Sequence, residues 1–260
     1  MKLNKPYLII SLDDNKIVFN IISFNEKKNY KLIKNITIDS EGIQNGRIVD
    51  TEHVSQLIKK NINFIEDELD YLFSTASVII NPNNVNCLNI SGYKKLNGSQ
   101  ISKEDITFIL NDIKKMITSN ENKHSLVHLF NSSFSLDSDN LENLPIGLFG
   151  EFYNQNMTFF LVQKNILKNI KLVFSNCGIN IDRLILKPFV EGINFLLKYK
   201  NHKNFTVLTI EDKNVNISRS YFTNKHILRI EGYFSINIFL KIKPSTTRFY
   251  IYQVLETSIS

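Results

Sequence analysis

Glycine is scarce in this sequence, with nine residues among 260. Glycine tolerates positive φ and close backbone approach at no steric cost, so a chain this poor in it keeps the residue where backbone geometry demands it. Two of the nine, Gly42 and Gly46, fall four apart in Ser40-Glu41-Gly42-Ile43-Gln44-Asn45-Gly46-Arg47-Ile48-Val49-Asp50. The segment stands between a run of strands and a strongly periodic helix. It reads either as an ordinary strand-to-helix loop or as a shaped connection.

Cysteine is scarcer still. Cys87 and Cys177 are far apart and lie beside apolar residues, which excludes a cysteine-rich metal or disulfide framework and leaves two buried thiols in a reducing compartment as the expectation. No run approaches the ~18 apolar residues of a spanning helix. The basic N-terminus leads only into the short apolar stretch 7–10, too brief for a signal peptide. The expectation is a cytoplasmic protein whose membrane association is indirect or peripheral. Lys/Arg runs never exceed two residues, and the net charge of +6 is carried by scattered lysines in a chain rich in Asn, Ile and Lys. A nucleic-acid partner calls for cationic residues clustered on one face, so none is expected.

What the sequence does contain is alternation of strand and helix patterns. Residues 7–12 and 17–24 are β-branched apolar runs separated by Asp13-Asp14-Asn15-Lys16, which marks a hairpin. Residues 30–38 supply a third strand. Val54, Leu57, Ile58, Ile62, Ile65, Leu69 and Leu72 recur at helical spacing behind Asp50 or Thr51 as N-cap. Residues 77–80 are a short buried strand ended by Asn81-Pro82-Asn83. A second unit then begins. It comprises a strand at 85–91, a polar connection at 92–100, a helix opened by Ser102 and Asp105 with Ile106, Ile109, Leu110, Ile113 and Ile117 as its apolar stripe, and strands at 125–137 and 157–163 flanking a loop at 138–156. Helical spacing returns from Lys164 and closes at Gly178. A strand at 179–186, a helix at 188–197, a hairpin of 205–210 with 215–221, an apolar segment 233–242 behind Gly232 and a strand at 248–255 follow. The alternation predicts an α/β architecture with an inserted subdomain.

Several landmarks, in order, are similar to the FtsA family of actin-like bacterial cell-division proteins. They are residues 40–50, like a Gly-x-x-x-Gly-x-Ile-x-Asp connection before a long helix; Ile90-Ser91-Gly92 and Ile101-Ser102-Lys103-Glu104-Asp105; the strand from His128 to Asp137; Leu144-Pro145-Ile146-Gly147-Leu148-Phe149-Gly150; and Cys177-Gly178-Ile179 with residues 182–186. The resemblance spans residues 7–240. It implies an actin-like, ribonuclease H-like fold with an inserted strand-helix-strand-strand (SHS2-type) subdomain and a truncated second half. The expected division is 1–83 with 164–203 as first actin-like subdomain, 84–163 as the insert, and 204–260 as an incomplete second lobe. In the family the insert contacts neighbouring protomers and later division proteins, which makes Gly92, Pro145, Gly147 and Gly150 candidates for an interaction surface.

The resemblance also implies a nucleotide site held by two glycine-bearing hairpins. The first should read Asp-x-Gly-Thr/Ser, and here it is Asp13-Asp14-Asn15-Lys16 with no glycine. The second should carry three glycines, and here it is Thr209-Ile210-Glu211-Asp212-Lys213-Asn214. Asp13, Asn15, Lys16 and Gly232 are the candidate remnants of nucleotide binding, and carboxylates where phosphate should lie argue against ATP and Mg²⁺ as cofactors. The expectation is a division scaffold that does not hydrolyse ATP, with no catalytic or metal-binding residues, acting on FtsZ or later division proteins, with possible self-association, at the cytoplasmic face of the inner membrane. Two alternatives are an active actin-like ATPase completed by a partner chain and a pilus-assembly platform protein. His124 and His128 have a helix-like metal spacing but bracket a strand, so a structural role is expected for both.

Overall fold

A computed structural model describes residues 5–26, 29–141, 143–198, 204–211, 214–222 and 228–237. In chain order the first elements are β1 (Tyr7–Leu12), β2 (Lys16–Phe24), β3 (Tyr30–Asp39), the two-residue strands β4 (Ile43–Gln44) and β5 (Arg47–Ile48), α1 (Thr51–Leu69) and β6 (Thr75–Ile80). Next come β7 (Val85–Lys95), α2 (Lys103–Asn120), β8 (His124–Leu136), β9 (Asp139–Leu141) and β10 (Phe152–Gln163). The rest are α3 (Lys164–Asn176), β11 (Asn180–Leu186), α4 (Lys187–Lys198), β12 (Asn204–Glu211), β13 (Asn214–Phe222) and β14 (Leu228–Asn237). The chain forms two compact units, one from Met1–Asn83 with Lys164–Val190 and one from Asn84–Gln163 with Glu191–Ser260.

The first unit is built on a five-stranded mixed sheet in the order β11-β6-β1-β2-β3. β2 runs antiparallel to both β1 and β3, whereas β6 pairs parallel with both β1 and β11. Alternate residues bury one face of the sheet: Leu8, Ile10 and Leu12, then Ile17, Phe19 and Ile21, then Ala76, Val78 and Ile80. This is the period-two signature of a strand with one face in a core. α1 contributes Val54, Ile58, Ile62 and Ile65, and α3 contributes Ile166, Ile170, Val173 and Phe174. Each such side chain removed from water contributes roughly 1.5–3 kcal/mol, so these two stripes anchor the unit.

Caps decide where the helices begin and end. Asp50 caps α1, its Oδ1 accepting from the His53 N–H at 2.9 Å, so of the two candidate caps the aspartate is the one used. Asp70 ends α1 in the left-handed region at φ 49°. Gly178 follows α3 at φ +74°, as its place after an apolar stripe predicts.

In the second unit, β7-β10-β8-β9 form an antiparallel sheet whose one face carries α2. Ile109, Ile113 and Ile117 of α2 pack with Phe134, Tyr153, Met157, Phe159 and Leu161. Ser102 and Asp105 form a reciprocal capping box at the start of α2. The Lys94 ammonium pairs with Asp105 and, together with the Ser102 bonds, holds that carboxyl below its usual range. The connection after β7 is shorter than residues 92–100 suggest: β7 runs through Gly92 to Lys95, because the glycine gives α2 room to lie against the strand. β10 begins at Phe152 rather than at residue 157. Its first half is polar and escapes an apolar pattern, yet the side chains of Tyr153, Gln155 and Asn156 find partners there. Gln155, 1% exposed, accepts from the Tyr153 hydroxyl and donates to Asn131 at 2.6 Å. Asn156 accepts from Ser91 and donates to Ser133 at 2.7 Å. β12-β13-β14 form a three-stranded antiparallel sheet in the same unit. β14 starts five residues before the expected apolar segment at 233, and the strand expected at 248–255 lies outside the described residues.

Cys87 and Cys177 join no disulfide and are half-buried rather than fully buried; burial raises the Cys177 thiol above its ordinary value. His124 and His128 both lie on β8. His124 Nδ1 sits 3.0 Å from Glu121 Oε1, and burial pushes His128 down to about 4. Among the described residues no group of His, Cys, Asp and Glu is placed to hold a metal ion, and no helix is long and apolar enough to cross a membrane.

Candidate functional site

Parallel strands end at a common edge, and in open α/β sheets that carboxyl edge is where ligands bind. In the first unit Leu12 of β1, Ile80 of β6 and Leu186 of β11 are in register. The residues that follow them, Asp13, Asn81 and Lys187, therefore emerge side by side. Lys187 donates from Nζ to Asp13 Oδ1 at 2.8 Å, with both side chains largely shielded at 17% and 13% exposure. Partial shielding strengthens such a pair over a solvent-exposed one.

Asp14 turns to the connection that holds Gly42 and Gly46. That connection is a shaped one, a miniature hairpin of β4 and β5 with Ile43 opposite Ile48 and both buried. Its two-residue turn is Asn45-Gly46, at φ 52° and 65°, the positive φ at both central residues that a tight hairpin turn matched to the right-handed twist of its strands requires. The N–H groups of Asn45 and Gly46 donate to Asp14 Oδ2 and Oδ1, each at 2.7 Å. These are short, charge-assisted bonds. On its other side the turn lies against Asn81-Pro82. A Cβ at Gly46 would sit 2.7 Å from Pro82 Cα and inside contact distance of the Asn81 carbonyl oxygen, so only glycine fits. Asn83 donates to the Asn45 side chain at 3.4 Å. Gly42, at φ +86°, lets its carbonyl accept from both Val49 and Asp50 as the hairpin closes onto α1.

The candidate nucleotide remnants are thus distributed unevenly. Asp13 reaches this edge and is held by Lys187. Asn15 and Lys16 contribute main chain, the Asn15 carbonyl accepting from Ser40 and the Lys16 carbonyl from Asp13, while their side chains are exposed. Gly232 lies within β14 opposite Arg219 of β13, beside a register shift. In the second hairpin Glu211 pairs with Asn214, and residues 212–213 lie outside the described residues. Two contributors escaped sequence reasoning: Lys187, and the partnership of Asp14 with Asn45. Lys187 had a signal, since it follows β11 as directly as Asp13 follows β1. Asn45-Gly46 had one too, as the dipeptide of the tight hairpin turn.

Of the interaction-surface candidates, Gly92, Pro145 and Gly150 are buried, which corrects their placement on a surface. Gly92 lies under α2, where a Cβ would be 2.8 Å from Ile113 Cδ1, and at Gly150 a Cβ would be 2.9 Å from Asp137 Oδ2. Gly147 is exposed, at φ +84° with open space around it. The surface of this loop is presented by their neighbours Leu144, Ile146, Leu148 and Phe149, 40–69% exposed, on a backbone clipped to residues 96–101 by the Gly98–Gly150, Ile101–Leu148 and Gly147–Ile101 bonds.

A mixed sheet of this order, interrupted by an α2-bearing antiparallel insert, defines an actin-like fold. A solved structure titled "PilM-PilN type IV pilus biogenesis complex" shares it at a TM-score of 0.54 with 12% identity, covering 86% of this chain and 61% of that one. No family model matches the chain. In sequence the chain is similar to the cell division protein FtsA: to that of Buchnera aphidicola subsp. Baizongia pistaciae at 24% identity over 219 residues, covering 84% of this chain and 49% of the relative. The FtsA of Buchnera aphidicola subsp. Schizaphis graminum is 26% identical over 146 residues, 56% of this chain and 34% of the relative. The chain spans between 34% and 49% of the length of these relatives.

Proposed function

We propose that this protein serves cell division as an actin-like interaction scaffold and does not hydrolyse ATP effectively. The division role is supported by the similarity to FtsA over 84% of the chain. The observation that carries the rest is the occupancy of the carboxyl edge by the chain's own groups. Asp14 holds the Asn45 and Gly46 amides and Lys187 holds Asp13, so an entering triphosphate would meet two carboxylates rather than open amide donors. Phosphate binding in such folds depends on those donors and on glycines that let them approach, and the first hairpin has no glycine. Partners are FtsZ or later division proteins, reached at the cytoplasmic face of the inner membrane. The exposed apolar loop around Gly147 suits a protein contact, since contiguous exposed apolar side chains mark association surfaces.

The similarity in fold to the PilM–PilN complex favours a second reading, a platform protein in pilus assembly. A fluorescent fusion of the full chain followed through the cell cycle separates the two. Recruitment to midcell with binding to FtsZ or another division protein supports the division role. A diffuse signal throughout, or capture by pilus components alone, overturns it.

A further inference from the structure

We infer that Asp14 is a tethered anion seated in an oxyanion site formed by the Asn45 and Gly46 backbone amides, a site that takes inorganic phosphate once the carboxylate is removed. The inference deepens the proposed loss of nucleotide binding at this edge and rests on that reading.

The geometry is that of a ligand in a receptor. Two N–H groups from successive residues converge on the two oxygens of one carboxylate, each at 2.7 Å. Asn45 and Gly46 both have positive φ, and consecutive amides in such turns form concave nests for anions. The nest has a fixed back wall in Asn81 and Pro82, packed so closely that residue 46 must be glycine. Asn83 steadies the Asn45 side chain from outside. The neighbouring carboxylate of Asp13 is engaged by Lys187 and leaves the nest's potential to the amides. Asp14 reaches the turn from a hairpin 31 and 32 residues away in sequence, so the contact is tertiary and does not form merely because the residues are neighbours. A carboxylate and a phosphate each present two oxygens to paired donors, and a tethered anion outcompetes a dissolved one through its high effective concentration. With Asp14 shortened, the exposed Asn45 N–H and the part-buried Gly46 N–H lose their shared acceptor, and an oxyanion is a species that restores both charge-assisted bonds at once.

The test uses the full chain as wild type, Asp14→Ala and Asp14→Ser, titrated with inorganic phosphate against sodium chloride at matched ionic strength. Amide chemical shifts of Asn45 and Gly46 and the thermal midpoint are read together. The expected result is saturable, millimolar phosphate-dependent movement of these two amides in both variants, with a rise in midpoint, and neither effect in the wild type. A variant unfolded in chloride and refolded by phosphate supports the inference by mass action. Amides that stay still in the folded variants, movement equal to the wild type's, or variants that phosphate does not rescue overturn it. Tight MgATP binding by the wild type would sink the no-nucleotide reading alone, because the phosphate response of the Asp14 variants is read independently.

Discussion

Replacing Gly46 by alanine isolates the contact on which the edge depends. Gly46 has φ +65°, and a Cβ there would fall 2.7 Å from Pro82 Cα and within contact of the Asn81 carbonyl. Holding a non-glycine residue in the left-handed region costs roughly 1–2 kcal/mol. The clash cannot be relieved by a flexible side chain, because both opposing groups are backbone. The turn must withdraw, which weakens the two charge-assisted bonds to Asp14, each worth about 1.5–3 kcal/mol when lost outright. With partial loss, Gly46→Ala should destabilise the first unit by about 3–5 kcal/mol. Gly178→Ala is the matched control in the same unit. It shares positive φ, at +74°, but nothing lies within 4 Å of its added Cβ, so only the conformational cost of about 1–2 kcal/mol applies. Urea unfolding followed by circular dichroism and extrapolated linearly to water measures both. Equal losses in the two variants would refute the packing argument, since they would leave backbone conformation as the sole cost.

Lys187→Ala leaves Asp13 shielded without its 2.8 Å partner and should cost about 2 kcal/mol by the same urea measurement; a neutral effect would show the pair to be incidental. His128 makes stability depend on acid: burial lowers it from 6.5 to about 4, so the unfolded chain takes up a proton below pH 6.5 while the folded chain resists until about 4. Its contribution is fully present above the unfolded value and is lost as pH falls through that window, by at most about 2 kcal/mol at pH 5. Urea midpoints from pH 7.5 to 5 should fall less steeply in His128→Gln than in wild type, and parallel slopes would contradict this. Gly92→Ala drives a methyl against Ile109 and Ile113 beneath α2 and should cost about 1–3 kcal/mol through overpacking, read as a lower thermal midpoint.

Helices were the most legible elements, because caps and apolar spacing agree at their starts: Asp50 before α1, and the Ser102–Asp105 box before α2. The buried strands of the first unit were legible by alternation. What stayed hidden was polarity satisfied inside a sheet. Gln155 and Asn156 read as loop residues, yet each finds its partners on adjoining strands, so β10 extends five residues further than its apolar run. A glycine in mid-strand was equally misleading at Gly92, where its meaning lies in the helix above it rather than in the chain on either side. At the candidate site the lack of glycine in the Asp13–Lys16 turn was visible in the sequence. The occupant of the edge was not, because the Asp14 contact with Asn45 and the Asp13 contact with Lys187 bridge residues 31 and 174 apart. Only the register of β1, β6 and β11 brings them together.

The proposed function holds that Asp13, Asp14 and Lys187 occupy this carboxyl edge in place of a nucleotide. Isothermal titration of the full chain with ATP, with and without Mg²⁺, tests it most directly. No saturable heat is expected up to millimolar nucleotide in either condition. Stoichiometric, Mg²⁺-dependent binding in the micromolar range would contradict it.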